Sequence, residues 1–443
     1  MNILVVGGGA REHAICEAVS RSKDVVLFSI MKNLNPGIKA LANDFKIEKE
    51  TNVENVVDYA LQKNIDMVIV GPESPLEKGL VNRLKEKDIR VVSPTKEAAR
   101  IETDKEWMRN LLKKYNIPGQ LKFETFTNPK NAKNFIESLD CKIAIKPIGL
   151  TGGKGVKVAG DHFNGIKEAM RYVNEIMDKK IGGKSKVLIE EKAEGEEFTL
   201  QAFSDGKTIL PLHAVQDHKR LLPGDEGVNT GGMGSYSCDN GLLPFLTKSD
   251  YEEGAAILQK IVESLYEEGC PYIGAIYGQF MLTPQGPKII EINARFGDPE
   301  AMNVLPLLES DYVELCKAMV NGTLSNKKIK MNKKSTVCKY VVPEGYGVKS
   351  IDGKKVYVDE QKIADTGSKM FYASVNKMND FVTTTTSRSL AVVGISDSLD
   401  NAEQICEKAL NHIKGEHIFI RHDIGKPDLI QRRIDHMNKI RGM

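Results

Sequence analysis

The sequence predicts a multidomain chain: an N-terminal doubly wound parallel-sheet α/β domain, a larger α+β middle and a small C-terminal α+β domain. Three observations carry this. The 443 residues exceed what one hydrophobic core usually organises. Over the first hundred residues, short apolar runs alternate with amphipathic stretches, which implies a parallel sheet with helices on both faces. Beyond Thr103 the pattern changes to antiparallel-looking strands separated by Gly-rich turns.

In the first part, residues 2–6, 25–30, 67–70 and 89–92 read as buried strands, and 11–22, 53–63 and 75–87 as helices. Pro75 suits the first turn of the last helix. A helix over 103–115 ends at Ile117-Pro118. Strands follow at 142–146, 156–159, 187–190, 197–203, 208–215, 276–283 and 288–293, with helices at 164–177, 251–268 and 312–320. Residues 326–334 carry five lysines in nine positions and read as a linker. After it come strands at 335–342 and 390–393 and a helix at 401–414. The expected domains are 1–103, 104–325 (with a lid subdomain over about 120–190) and 335–443.

Lys+Arg number 62 and Asp+Glu 60, a net charge of +2, so no overall field favours nucleic acid or an anionic membrane. An anionic ligand has to be held by local basic groups. The seven cysteines are scattered and never spaced Cys-x-x-Cys, which predicts reduced thiols and argues against zinc. The start carries no basic leader, and no apolar run approaches the ~18 residues needed to span a bilayer. A cytoplasmic protein is the expectation.

Five constellations carry chemistry. In Lys146-Pro-Ile-Gly-Leu-Thr-Gly-Gly-Lys-Gly155, backbone N–H groups can converge on phosphate oxygens where no Cβ intervenes, with Lys146 and Lys154 adding charge. It is not a Walker A loop, because Gly155 stands where Ser or Thr belongs and a strand follows. A flexible hairpin with solvated lysines is the competing reading. Glu291 and Asn293 share one strand face. If the preceding turn centres on Gln285, Gln279 sits opposite Glu291, whereas a bulge slips that register by one. Such an oxygen set suits Mg²⁺, and a merely polar strand face is the alternative. Arg295-Phe-Gly-Asp-Pro-Glu-Ala-Met302 follows at once, with Arg295 able to grip a carboxylate or phosphate bidentately. Asp217-His-Lys-Arg220 precedes a second Gly-rich loop, Asn229–Gly234, and His218 there reads as a packing residue rather than a base. Gly7-Gly-Gly-Ala-Arg-Glu-His13 opens a helix as an anion site does. Dinucleotide binding fits it poorly, since Glu12 takes the third-glycine position and Met31-Lys32 close the second strand.

Taken in order, these motifs resemble the glycinamide ribonucleotide synthetase family of ATP-grasp ligases. The likeness runs over essentially the whole chain and includes Asn35-Pro-Gly37, Gly71-Pro-Glu73 and Arg421-His-Asp-Ile-Gly425, with Arg295–Met302 the most specific stretch. It implies an ATP-grasp fold for the middle domain. It also implies a nucleotide site of Lys105, Lys146, Gly152, Gly153, Lys154, the adenine hinge Glu190-Glu191-Lys192-Ala193, and Glu197 for the ribose. Gln279, Glu291 and Asn293 resemble the ligands of Mg²⁺ or Mn²⁺. Gly9, Arg11, Asn35, Gly37, Glu73, Asp217, Arg295 and Asp298 would bind the other substrates, with Arg295, Lys146 and Asp217 closest to the chemistry. Pro147-Ile148 stands where many relatives have Ala-Asp, which removes a carboxylate beside the phosphate loop.

The activity implied is ATP-dependent joining of glycine to 5-phosphoribosylamine through glycyl phosphate, by a monomer or weak homodimer using only small-molecule partners. Rival readings are a bicarbonate- or formate-using relative and a nucleotide-binding protein without turnover. The intact Lys146, Lys154, Glu291, Asn293 and Arg295 argue against the latter.

Overall fold

Strand Asn2–Val6 is the centre of a five-stranded parallel sheet in a computed structural model that describes residues 1–151 and 155–442. The strand order is Asp44–Ile47, Val26–Met31, Asn2–Val6, Met67–Val70, Arg90–Val91. The chain direction across the sheet reverses between Asn2–Val6 and Met67–Val70, and a crevice opens beyond their carboxyl ends. The loops Gly7–Gly9 and Gly71–Glu73 meet there, because Gly71 N–H donates to the Val6 carbonyl at 2.9 Å.

The middle of the chain builds two antiparallel sheets. Ile209–Pro211, Glu196–Asp205, Ile273–Thr283 and Gly286–Asn293 form one. The other consists of Phe123–Phe126, Val187–Glu191, Ile143–Pro147 and Lys157–Val158. Helices Pro129–Ser138 and Ile166–Lys179 pack against the second sheet, and this lid has a core of its own that includes Phe126, Ile136, Ile145, Val173 and Ile189. The remaining large sheet crosses the expected boundary at 335. Gln216–Asp217 and Gly234–Ser237 continue into Ser335–Pro343, Leu390–Ser396 and Lys369–Tyr372. The C-terminal part therefore shares backbone hydrogen bonds with Gly234–Ser237, the strand next to the one that carries Asp217.

Several elements differ from the sequence reading. The helix expected over 75–87 is two, Glu73–Glu77 and Leu80–Lys85, because Gly79 between them sits at φ 82°. The one expected over 103–115 begins at Lys105, where the Asp104 carboxylate accepts the Trp107 N–H at 3.0 Å, and Lys96–Thr103 is a separate helix. The strand expected over 208–215 shortens to Ile209–Pro211 plus a bridge between Thr199 and Val215. Residues 326–334 are not a free linker: Glu309 N–H bonds the Lys330 carbonyl and Asn332 N–H that of Leu307. The C-terminal helix Pro427–Arg441 went unpredicted, because only Leu429, Ile430 and Met437 on it are buried. It is held by ion pairs of Arg433 with Glu196 (2.9 Å) and Asp225 and of Arg441 with Asp250 (2.7 Å). All seven cysteines are free thiols, and among the described residues no helix is long and apolar enough to cross a membrane.

His13 joins the N- and C-terminal parts: it is 8% exposed, and its Nδ1 accepts the Tyr372 N–H at 2.9 Å. Burial pulls its imidazole from 6.5 down to about 4. Between those values the unfolded chain binds a proton that the folded chain refuses, so stability falls as pH drops through that window. The slope is about 1.4 kcal/mol per pH unit from this group. Urea unfolding across the window should show stability falling more steeply with acid in the wild type than in His13→Gln, by about that slope. Equal slopes would contradict the assignment.

Candidate active site

The site begins at a buried carboxylate. Glu190, 1% exposed at the end of lid strand Val187–Glu191, receives Arg109 Nε and Nη2 at 2.7 and 3.0 Å and lies 2.7 Å from Lys146 Nζ. Burial alone would raise its pKa, but the two cations hold it down at about 2. Arg109 and Lys146 also reach the Ile290 carbonyl, at 3.2 and 3.1 Å. Ile290 is available because it is the bulged residue of strand Gly286–Asn293, opposite no partner. Lys105 is held close by, its Nζ donating to the Gly149 carbonyl at 3.0 Å, and burial lowers its pKa. Gly152, Gly153 and Lys154 lie outside the described residues.

The same bulge sets the face of the neighbouring sheet. Near the turn the register runs Thr283 opposite Gly286, one residue short of a turn centred on Gln285, and the bulge restores Gln279 opposite Glu291. Gln279 Nε2 donates to Glu197 Oε2 at 2.8 Å, while its buried Oε1 has no partner. Burial opposes ionisation of Glu291, yet Lys219, the Asn293 amide at 3.1 Å, Lys105 and Lys146 keep its pKa below the usual carboxylate range. An ionised carboxylate, an orphan amide oxygen and the Asn293 carbonyl fit one hard divalent cation. Among the described residues no three His, Cys, Asp or Glu converge on a metal position, so the rest of such a shell must come from phosphate and water. The remaining hinge residues behave differently. Glu191 accepts the Lys122 N–H at 2.9 Å, and Lys192 Nζ donates to the Ala159 carbonyl at 2.9 Å.

Arg295 closes the third side. It lies 3.0 Å from Glu102 and 3.5 Å from Glu73, and its Nη2 donates to Asn293 Oδ1 at 3.3 Å. Burial raises the Glu102 carboxyl to about 7. Nothing in the sequence pattern singled out Glu102. Arg11 is buried against Glu12 (2.6 Å) and donates to the Phe296 carbonyl at 3.2 Å, which ties the first helix to the Arg295 loop. Asn35 and Gly37 each have a structural duty. Asn35 is fully buried, capping helix Pro36–Leu41 and donating to the Tyr372 carbonyl at 2.7 Å, so it braces the loop. A Cβ on Gly37 would lie 1.9 Å from the His13 ring, so this glycine is there for packing.

The fourth side is acidic. Asp217 Oδ1 is buried without a partner, and Glu300, 2% exposed, accepts the Tyr277 hydroxyl at 2.9 Å. Burial and mutual repulsion push the Asp217 carboxyl well up, and burial raises that of Glu300. Lys219 faces Glu197, Glu291, Asp217 and Glu300, which hold its pKa above normal against burial. Asp298 pairs with Arg388 at 3.1 Å and accepts the Tyr340 hydroxyl. His218 is buried with Nδ1 3.1 Å from Asp225, as a hydrogen-bonding residue should be. Lys219 and Glu300 stood inside quoted motifs but were missed for want of a periodicity to mark them. Beyond Gly9, a cavity of about 360 Å³ continues past Lys32, Lys49, Glu50 and Ser74 to Ser374.

Family models for phosphoribosylglycinamide synthetase match the chain in order: its N domain over residues 1–102, its ATP-grasp (A) domain over 103–301 and its C domain over 336–427. The chain belongs to the phosphoribosylglycinamide synthetase family. It is 50% identical over 442 residues to a phosphoribosylamine–glycine ligase of Methanothermobacter thermautotrophicus, with all of both chains covered. It is 46% identical to one from Pyrococcus furiosus, covering 100% of this chain and 98% of that one. The crystal structure of a phosphoribosylamine–glycine ligase from Thermotoga maritima superposes with a TM-score of 0.81 at 25% identity, over 96% of this chain and 100% of that one. A biotin carboxylase from Campylobacter jejuni shares the fold alone: TM-score 0.75, 13% identity, 99% of this chain and 98% of the other. Within the family's ATP-grasp domain, Glu190 with its two cations is the joint between lid and floor.

Arg109→Ala would leave Glu190 and two strand carbonyls buried short of donors. Chemical denaturation should show a loss of about 3 kcal/mol or more. A loss below about 1 kcal/mol would mean that this pair does not hold the joint.

Proposed function

We propose that this chain joins glycine to 5-phosphoribosylamine at the expense of ATP, giving glycinamide ribonucleotide, ADP and phosphate. The observation that carries the reading is the ordered match of all three family domains along one chain. The middle segment, 104–325, supplies the nucleotide site between its lid (about 120–190) and floor, and 1–103 with 335–443 encloses the remaining substrates.

In this reading Lys105 and Lys146 neutralise the transferring phosphoryl group, with Gly152, Gly153 and Lys154 as further phosphate contacts. Because Arg109 and Lys146 already take the Glu190 carboxylate, the hinge serves adenine through the backbone of Glu191, Lys192 and Ala193. Glu197 takes the ribose hydroxyls. Glu291, Asn293 and Gln279 would hold Mg²⁺, or Mn²⁺ in its place, which when bound offsets charge on the β- and γ-phosphates. Arg295, Asp217, Glu73, Gly9, Arg11 and Asp298 surround the glycine and ribosylamine positions.

The glycine carboxylate oxygen attacks the γ-phosphorus and ADP leaves. The ribosylamine nitrogen then attacks the carbonyl of the resulting glycyl phosphate, and phosphate leaves. No protein nucleophile is required, in keeping with a buried His218 and with thiols such as Cys16, Cys316 and Cys406 raised by burial. The protein's work is to position, neutralise and exclude water. A cytoplasmic monomer or weak homodimer completes the proposal.

ADP release should require glycine and ribosylamine together, the amine being generated in situ from ribose 5-phosphate and ammonia. Release with bicarbonate or formate instead would overturn the substrate pair. Glu291→Ala should lower turnover at least about 100-fold; near-wild-type turnover would remove Glu291 from the site.

A further inference from the structure

Two stretches of the site floor are anchored from behind by one guanidinium on the C-terminal helix. Strand Glu196–Asp205 pairs with Ile273–Thr283 so that Thr199 stands opposite Gln279 and Glu197 opposite Met281. Side chains alternate across a strand, so Glu197 shares the face of Gln279, to which it is hydrogen-bonded. Glu196 turns the other way, with Phe198 and Leu200, toward the core. It is 3% exposed there, with Arg433 Nη1 2.9 Å from one oxygen and His436 Nδ1 2.6 Å from the other.

The neighbouring stretch is treated alike. His218 N–H donates to the Gly234 carbonyl at 2.9 Å, so the chain stays extended past Asp217 and the His218 ring points away from the side that Asp217 and Lys219 share. Behind it lies Asp225, whose carboxylate meets His218 Nδ1 at 3.1 Å, Arg421 Nη1 at 2.8 Å and Arg433 Nη2. Burial opposes its ionisation, but His218, Arg433 and Arg421 hold its pKa far below the usual carboxylate range. Arg433 therefore bridges Glu196, behind Glu197, and Asp225, behind Asp217–Lys219. On the opposite face the two stretches meet as Glu197 and Lys219, 3.6 Å apart. A planar guanidinium fixes the separation of two acids that it grips, which a point charge does not. The helix that carries it, Pro427–Arg441, begins where the family's C-domain match stops. A second arginine of this helix, Arg441, pairs at 2.7 Å with Asp250 on helix Lys248–Glu267, which bears none of the residues assigned to the site.

Resting on the reading above, in which Glu197 takes the ribose hydroxyls of ATP, we infer that Arg433 is a positioning residue for the nucleotide. It acts through Glu196 and Asp225 and sets where Glu197 and Lys219 stand. Recognition of the ribose thereby depends on the C-terminal helix, from the far side of the sheet.

Steady-state rates with ATP, 2′-deoxy-ATP and 3′-deoxy-ATP test this, with glycine and ribosylamine saturating. The ratio of kcat/KM for ATP to that for the analogue that wild type discriminates more should fall about threefold to tenfold in Arg433→Gln and in Glu196→Gln. Arg433→Lys, which keeps the charge but not the fork, should recover only part of the ratio. Arg441→Gln, which loosens the same helix, should keep the wild-type ratio. Cooperative thermal unfolding identifies the folded variants, and Glu196→Gln carries the same test if Arg433→Gln fails to fold. Glu197→Gln reports on the ribose reading itself. If Glu197→Gln lowers the ratio while the folded Arg433 and Glu196 variants keep it, or if Arg441→Gln lowers it as much as they do, the inference is wrong and the ribose reading stands. If Glu197→Gln keeps the wild-type ratio, the ribose reading falls and the inference with it.

Discussion

The joint at Glu190 is the constraint on which the rest of the site depends. One carboxylate at the end of a lid strand takes a bidentate guanidinium from helix Lys105–Lys114 and an ammonium from the adjacent lid strand. Through Arg109 and Lys146 it is also tied to the bulged carbonyl of the floor. Buried pairs of this kind are costly to desolvate and costlier to break. The lid is therefore not free to choose its angle to the floor where the phosphates would lie. The bulge at Ile290 serves two ends: it presents the carbonyl that the cations need and returns Gln279 to the position opposite Glu291.

From that joint outward the site is an arrangement of fixed charges. Lys105 and Lys146 stand on the lid side, Glu197, Glu291, Asp217 and Glu300 on the floor side, and Lys219 among the acids. The floor carries more carboxylate than its own cations satisfy. Preorganised charge of this kind acts on the transferring phosphoryl group without reorganising during the reaction. The sheet shared between 216–237 and 335–396 explains how the C-terminal part takes part: it pairs with Gly234–Ser237, against which the strand that carries Asp217 is laid.

Much of this was legible in the sequence, for identifiable reasons. The parallel sheet announced itself through its alternation, and Glu291 and Asn293 through the strand period. The pairing of Gln279 with Glu291 came out right although the register near the turn is one residue off the assumed one, because the bulge compensates. Glu102, Lys219 and Glu300 were not legible, since each acts as a single charge at an element's end with no periodic signature. At Asn35 and Gly37 the sequence did not show the helix cap and the packing glycine, because these use the same residue types as a ligand loop. The helix Pro427–Arg441 was hidden by its polarity: ion pairs hold it where an apolar stripe would have been visible.

The account's central claim is that the floor and the lid cations bring the glycine carboxylate to the γ-phosphorus before any amine attacks. Glycine labelled with ¹⁸O in both carboxylate oxygens tests it directly, by mass analysis of the inorganic phosphate after a single turnover. The account predicts one ¹⁸O atom in each phosphate released and one retained in the amide product. Unlabelled phosphate, with both labels kept in the product or lost to water, would contradict it.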